Sequence, residues 1–132
     1  MTLRSALYCA GLCFGFTAVA SAQDPVKVDP THYKVETENA QVRVLRVHYG
    51  PHEKSVMHSH PSAVAVYLSD GKIRFTDANG KTQDATGKAG QALYTPAQIH
   101  DPENAGDEPF DLILVELKGS AGKAAAESPD KK

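Results

Sequence analysis

Short runs of alternating or wholly apolar residues, each closed by a turn, recur through the middle of this chain, and none keeps a helical period. "KIRFT" (72–76) alternates cleanly, which predicts Ile73 and Phe75 inward and Lys72, Arg74 and Thr76 outward. "AVAVYL" (63–68) is apolar on both faces and belongs deep in a sheet. "QVRVLRVHY" (41–49) sets Val42 and Val44 against Arg43 and then slips phase at Leu45, as a β-bulge would. "QALY" (91–94) and "FDLILVEL" (110–117) read as further strands, about eight in all. Asn79-Gly80 predicts a two-residue hairpin of type I′, with positive φ at both positions. Many short strands with turns and no helices define an all-β sandwich or barrel.

The two ends of the chain read differently. At 132 residues there is room for one domain at most. The first 22 carry a basic start (Arg4), an apolar stretch from Ala6 to Ala20 and small residues at Ala20-Ser21-Ala22. That is the pattern of a secretory signal peptide over 1–22, and it predicts a periplasmic or secreted protein. The stretch is too short and too interrupted for a stable membrane anchor. Both cysteines, Cys9 and Cys13, lie within it, so the mature chain would have neither a disulfide nor a reactive thiol. Of 14 Lys and Arg only Arg4 falls there, which leaves 13 against 16 Asp and Glu. A nucleic-acid partner would call for a basic face, and none is predicted. "KGSAGKAAAESPDKK" (118–132) has nothing sizeable to bury and reads as a disordered tail. The expected organisation is a signal peptide (1–22), an N-terminal segment (23–39), a barrel (40–117) and the tail.

"MHSHPSAVAVYLSDG" (57–71) puts His58 and His60 one residue apart at a strand entrance. Residues i and i+2 of a strand share a face, about 6.5–7 Å apart, near enough for two imidazoles to converge on one ion. A lone H-x-H is more often the solvated end of a strand. A third histidine, His100, stands in "GQALYTPAQIHDPEN" (90–104), after a Gly, a strand and a Pro-containing turn. With Gly50, His58, His60 and Gly71 as a first motif and Gly90, Pro96, His100 and Asn104 as a second, residues 40–117 resemble a small single-domain cupin.

The resemblance implies a double-stranded β-helix, the jelly-roll barrel of cupins, with one divalent metal held inside by His58, His60 and His100. The Glu of the family's first motif falls at Val64, or by the alternative spacing at Ala65, so this chain lacks it. Three neutral imidazoles suit zinc, copper, iron or nickel better than manganese, which prefers oxygen. Three-histidine members of the family include iron-dependent dioxygenases, so the resemblance implies an oxygenase acting on a small anionic or enolic substrate. The alternative is a non-catalytic module that binds a metal or small ligand. Cupins often pair, so a homodimer is the oligomer the resemblance implies.

Other residues near the motifs have two readings. Glu53 is the carboxylate favoured to stand in for the missing Glu or to sit behind a ligand, ahead of Glu116 on the last strand. Tyr67 and Tyr94 either pack in the core or aim a phenol into the cavity. His48 and His52 read as surface residues, Asp101 and Glu103 as loop surface or as carboxylates that orient a ligand histidine, and Asn104 as a turn cap.

Overall fold

The computed structural model describes residues 23–119. The signal-peptide expectation and nearly all of the expected tail lie outside the described residues. Among those described, the chain forms one short helix, α1 (Pro25–Val28), and nine strands: β1 (Tyr33–Glu38), β2 (Val42–Tyr49), β3 (His58–His60), β4 (Ala63–Tyr67), β5 (Gly71–Asp77), β6 (Thr82–Gly87), β7 (Ala92–Thr95), β8 (Gln98–Asn104) and β9 (Phe110–Leu117). One sheet runs β1-β2-β9-β4-β7 and the other β3-β8-β5-β6, and every pairing is antiparallel. The all-β expectation holds.

The core sits between the two sheets. Leu45, Val47 and Tyr49 of β2 face Leu114, Leu112 and Phe110 of β9 across the strand pair, and Ala63, Ala65 and Tyr67 of β4 continue the layer. Ile73 closes it from the opposite sheet, with Phe75 packed against it, as the alternation of that run predicts. Gly87 is required by this packing, because a Cβ there would run into the ring of Tyr67.

Four local expectations are corrected. The segment 23–39 is part of the barrel, since its β1 pairs with β2 from Tyr33↔Val47 to Glu38↔Arg43. The irregular register lies in β1, between Val35 and Thr37, while β2 pairs with β9 without a break. Consequently Arg43, Leu45, Val47 and Tyr49 share the inner face, and Arg43 points in rather than out. At the β5–β6 turn only Gly80 has positive φ (82°), and Gly80 N–H donates to Asp77 O at 3.0 Å. That is a type I turn followed by a left-handed glycine, a three-residue loop instead of type I′. Asp77 explains the choice, because its side chain accepts from Asn79 and Lys81 amides at 2.8 and 2.9 Å.

Candidate metal centre

His58 and His100 are direct partners in the β3–β8 register, and His60 lies two residues from His58 on the same face. The sheet therefore brings the three together without help from loops. All are buried. Their ring centroids are 4.8, 5.0 and 5.3 Å apart, with the planes close to perpendicular. One nitrogen from each lies within 4.8 Å of the other two. Small side-chain rotations bring such a set to the 2.0–2.1 Å that imidazole adopts on a metal.

The hydrogen bonds fix which nitrogens are available. His58 Nδ1 is 2.7 Å from the carbonyl of Val56, and His60 Nδ1 is 2.6 Å from Glu116 Oε1. A carbonyl and a carboxylate only accept, so both Nδ1 atoms carry hydrogen and both Nε2 atoms present lone pairs. His58 Nε2 and both ring nitrogens of His100 are buried with no hydrogen-bond partner. Unpartnered buried nitrogens are costly in a folded protein, and one metal ion would take His58 Nε2 and one of the two His100 nitrogens.

Charge acts in the same direction. Burial, then the neighbouring His60, pulls His58 down to about 4. Burial, then His60 and His58, pulls His100 down to about 3. Both rings are thus neutral near pH 7, the state that ligates. Burial alone would raise Glu116, but hydrogen bonds from His60 and Arg43 outweigh it and hold the carboxyl below its usual range. Glu116 is 2% exposed, and Arg43 Nε donates to its second oxygen at 2.6 Å.

Glu116, not Glu53, is therefore the carboxylate that orients a cluster histidine. Glu53 lies outside the barrel wall, bonded to His32 Nε2 at 3.0 Å and to the Gly50 amide at 2.7 Å. Tyr67 is buried and lines the cavity beside the cluster, whereas Tyr94 stands at its mouth, 58% exposed. His48 and His52 are exposed and pair with Asp111 and Asp107. Asn104 caps, as its composition suggests: its amide donates to the Gly50 and Glu108 carbonyls, and its oxygen accepts from Gly106. Ser55 and His32 were not legible as neighbours of the site, since a lone Ser and a lone His before the first motif carry no pattern.

The motif position of the missing Glu is also settled. Val64 turns away from the core, between Ala63 and Ala65, which are buried. Ala65 lines the cavity. The first-motif Glu position in this chain is Ala65, and no carboxylate faces inward from β4.

The cavity has a volume of about 280 Å³, is lined by His60 and His100, and is otherwise aliphatic and aromatic, with Phe75, Phe110 and Leu112 among its walls. Among the described residues no Lys, Arg, Asp or Glu lines it. Tyr33 and Tyr49 hydrogen-bond to each other at 2.9 Å within it, and burial pushes both phenols up, so both stay protonated.

A two-sheet jelly-roll barrel with three histidines converging on an interior cavity defines a class, the small β-barrels with a buried histidine cluster that could hold an ion. The chain belongs to the cupin-domain family: the model of that family (Cupin_2, cupin domain) matches residues 45–116. Solved structures similar in fold include a cupin domain from Bordetella pertussis Tohama I (21% identity, 66% of this chain and 92% of that one, TM-score 0.61). A protein with a double-stranded β-helix domain from Klebsiella pneumoniae is similar at 29% identity, covering 68% of this chain and 78% of that one, with a TM-score of 0.54. A cupin-family protein from Methanocaldococcus jannaschii is similar at 12% identity, over 72% and 84%, with a TM-score of 0.53. No curated protein matches the chain.

Proposed function

We propose that this cupin holds one divalent transition-metal ion, zinc, copper, iron or nickel, through Nε2 of His58 and His60 and a ring nitrogen of His100. The observation that carries the reading is the commitment of both Nδ1–H groups to acceptors, which leaves lone pairs converging in a buried site. When bound, the ion supplies Lewis-acid and, for iron or copper, redox chemistry. Around it the chain contributes neutral, oriented ligands and an apolar cavity that excludes water. The reaction proposed is oxygenation of a small enolic or anionic compound with an apolar body, its oxygens toward the histidines and the body among Phe75, Phe110 and Leu112. Lacking charged walls, the cavity offers no partner to a second charged group on the ligand.

A non-catalytic binding module is the second reading, and the absence of a carboxylate from the cavity lining favours it, since no acidic side chain is placed to take a proton from a substrate. Oxygen uptake that depends on substrate separates the two. The apolar stretch over Ala6–Ala20 supports export, so the protein is proposed to work outside the cytoplasm, where copper and zinc compete by affinity. Among the described residues no helix is long and apolar enough to cross a membrane.

Elemental analysis tests the metal directly. Protein taken from the periplasmic fraction, purified without chelator or affinity metal, is expected to carry close to one transition-metal ion per chain. A chain that is empty after growth in metal-replete medium and binds none on titration would sink the proposal.

Restoring the missing carboxylate gives a second test. Ala65→Glu buries an unpaired acid in the metal-free barrel, at a cost of about 1–3 kcal/mol or more. With a divalent ion present the new carboxylate gains a partner, so most of that loss should return and binding should shift toward harder ions such as iron or manganese. Val64→Glu, on the outer face, should show neither the loss nor the recovery. Urea unfolding of both variants with and without metal decides; equal behaviour of the two would refute the placement.

A further inference from the structure

The family match begins at residue 45, yet three lines of contact reach the histidine cluster from the chain before it. In the first, Asp24 Oδ2 accepts from Arg43 Nη1 at 2.6 Å, Arg43 Nε donates to Glu116 Oε2 at 2.6 Å, and Glu116 Oε1 accepts from His60 Nδ1. In the second, the Asp29 carboxylate accepts from the Ser55 hydroxyl and from His32 Nδ1, and Ser55 Oγ lies 3.4 Å from His58 Nδ1. In the third, the Tyr33 ring meets His58 edge-on at 4.9 Å and lies 5.6 Å from His60. The segment is docked on β3 itself, because Ser59 N–H donates to the Gln23 carbonyl at 3.0 Å.

We infer that residues 24–33 form a positioning element of the metal centre, with Asp24 setting the ring orientation of His60 through Arg43 and Glu116, and Asp29 holding Ser55 as a second, longer contact on the His58 Nδ1–H that the Val56 carbonyl already binds. The inference rests on the three-histidine reading of the site. Glu116 can hold His60 in one orientation only while its own carboxylate is pinned, and Arg43 does the pinning. Arg43 is a long side chain with much rotamer freedom, 15% exposed, and Asp24 removes that freedom by fixing the far end of the guanidinium. Asp29 does the same for Ser55: with the hydroxyl hydrogen directed at Asp29, the oxygen lone pair is left facing His58 Nδ1–H. Both lines end on an Nδ1–H, and each therefore favours the tautomer whose Nε2 faces the cavity.

Asp24 also caps α1, but with its other oxygen: Oδ1 accepts from Val26 N at 2.9 Å. Asp24→Asn thus separates the roles. Asn caps a helix about as well as Asp, whereas an amide opposite Arg43 loses the charge and can turn an NH₂ toward the guanidinium. In the full-length chain, Asp24→Asn is expected to weaken zinc binding about five- to tenfold, near the lower end of the range for groups behind metal ligands. Glu36→Gln, which breaks the exposed Arg46–Glu36 pair on the same sheet, should leave zinc affinity unchanged. The ring nitrogen-15 signals of the metal-free protein give a readout that needs no ion. His60 should show a clean Nδ1–H pattern in the parent and an averaged one in Asp24→Asn, while His58 stays as it was.

Parental zinc affinity in Asp24→Asn overturns the inference, and so does weaker binding with the His60 signals unmoved. A parent protein that takes up no zinc overturns the metal reading instead, and the His60 ring signals then decide alone whether Asp24 positions that ring.

Discussion

Stripped of metal, the protein is expected to lose on the order of 5 kcal/mol of folding stability as the pH falls from 6.5 to 4. The loss comes from His58 and His100, whose rings burial and the neighbouring His60 pull down to about 4 and about 3. In the unfolded chain both titrate near 6.5, so between these values the unfolded state binds more protons, and acid favours it. The stability is complete above 6.5 and drains as pH falls toward the folded values. Taken singly the shifts convert to about 3 and about 5 kcal/mol at 1.36 kcal/mol per unit. The His100 shift includes repulsion from His58, so the pair is worth less than the sum. Glu116 adds nothing in the upper part of this window: its folded pKa is depressed, so its contribution fades only below the unfolded carboxylate value, near 4.5. Urea unfolding of chelator-treated protein at half-unit steps measures the effect, and flat stability from pH 7 to 5 would contradict it. Bound metal should move the loss to lower pH, because protons must then displace the ion.

The parts of this barrel that were legible from sequence are those where one strand stays in one sheet. "FDLILVEL" keeps a single phase from Phe110 to Leu117, and β9 is buried on alternate residues throughout. His58 and His60 share a face for the same reason. The even spacing of His58, His60 and Val64 does not put all three on one face, because the chain changes sheets. It leaves the β3 sheet after His60 and enters the other at Ala63, and the two residues between, Pro61 and Ser62, shift the phase by one. Ser62 and Ala63 are consequently both buried.

Arg43 was misplaced because a charge among valines reads as an outward residue. Its partner, Glu116, is 73 positions away in sequence and opposite it only in the β2–β9 register. "QIHDPEN" carries little strand signal because Pro, Asp and Asn are turn formers, yet it forms β8. Pro102 is tolerated in β8 because its carbonyl accepts from Ser55 N at 2.9 Å, on the side away from β5. In an antiparallel strand a residue's N and O point the same way, so the absent N–H takes nothing from the β5 ladder. The polar segment before β1 looked like a leader to the domain, and only its distant contacts with Arg43, Ser55 and Ser59 make it part of the site.

Glu116→Ala should be the most damaging single substitution outside the three histidines. It takes from the Arg43 guanidinium, 15% exposed, its buried carboxylate partner, leaving only Asp24, and leaves the His60 Nδ1–H without its acceptor. Breaking a buried pair from one side costs about 3–5 kcal/mol, a large share of the total for a domain this small. Metal affinity should fall by about 10- to 100-fold, as it does when the group behind a ligand histidine is removed. Stability and affinity are separable by a double substitution. Arg43→Met with Glu116→Leu replaces the pair by apolar side chains of similar size, which is often neutral for stability. The double variant should therefore unfold near the parental urea midpoint. It should still bind zinc as weakly as Glu116→Ala, because a leucine cannot hold the His60 tautomer. Parental zinc affinity in the double variant would show that His60 needs no carboxylate behind it. A double variant as unstable as the single one would show that the loss comes from packing around β9 and not from the broken ion pair.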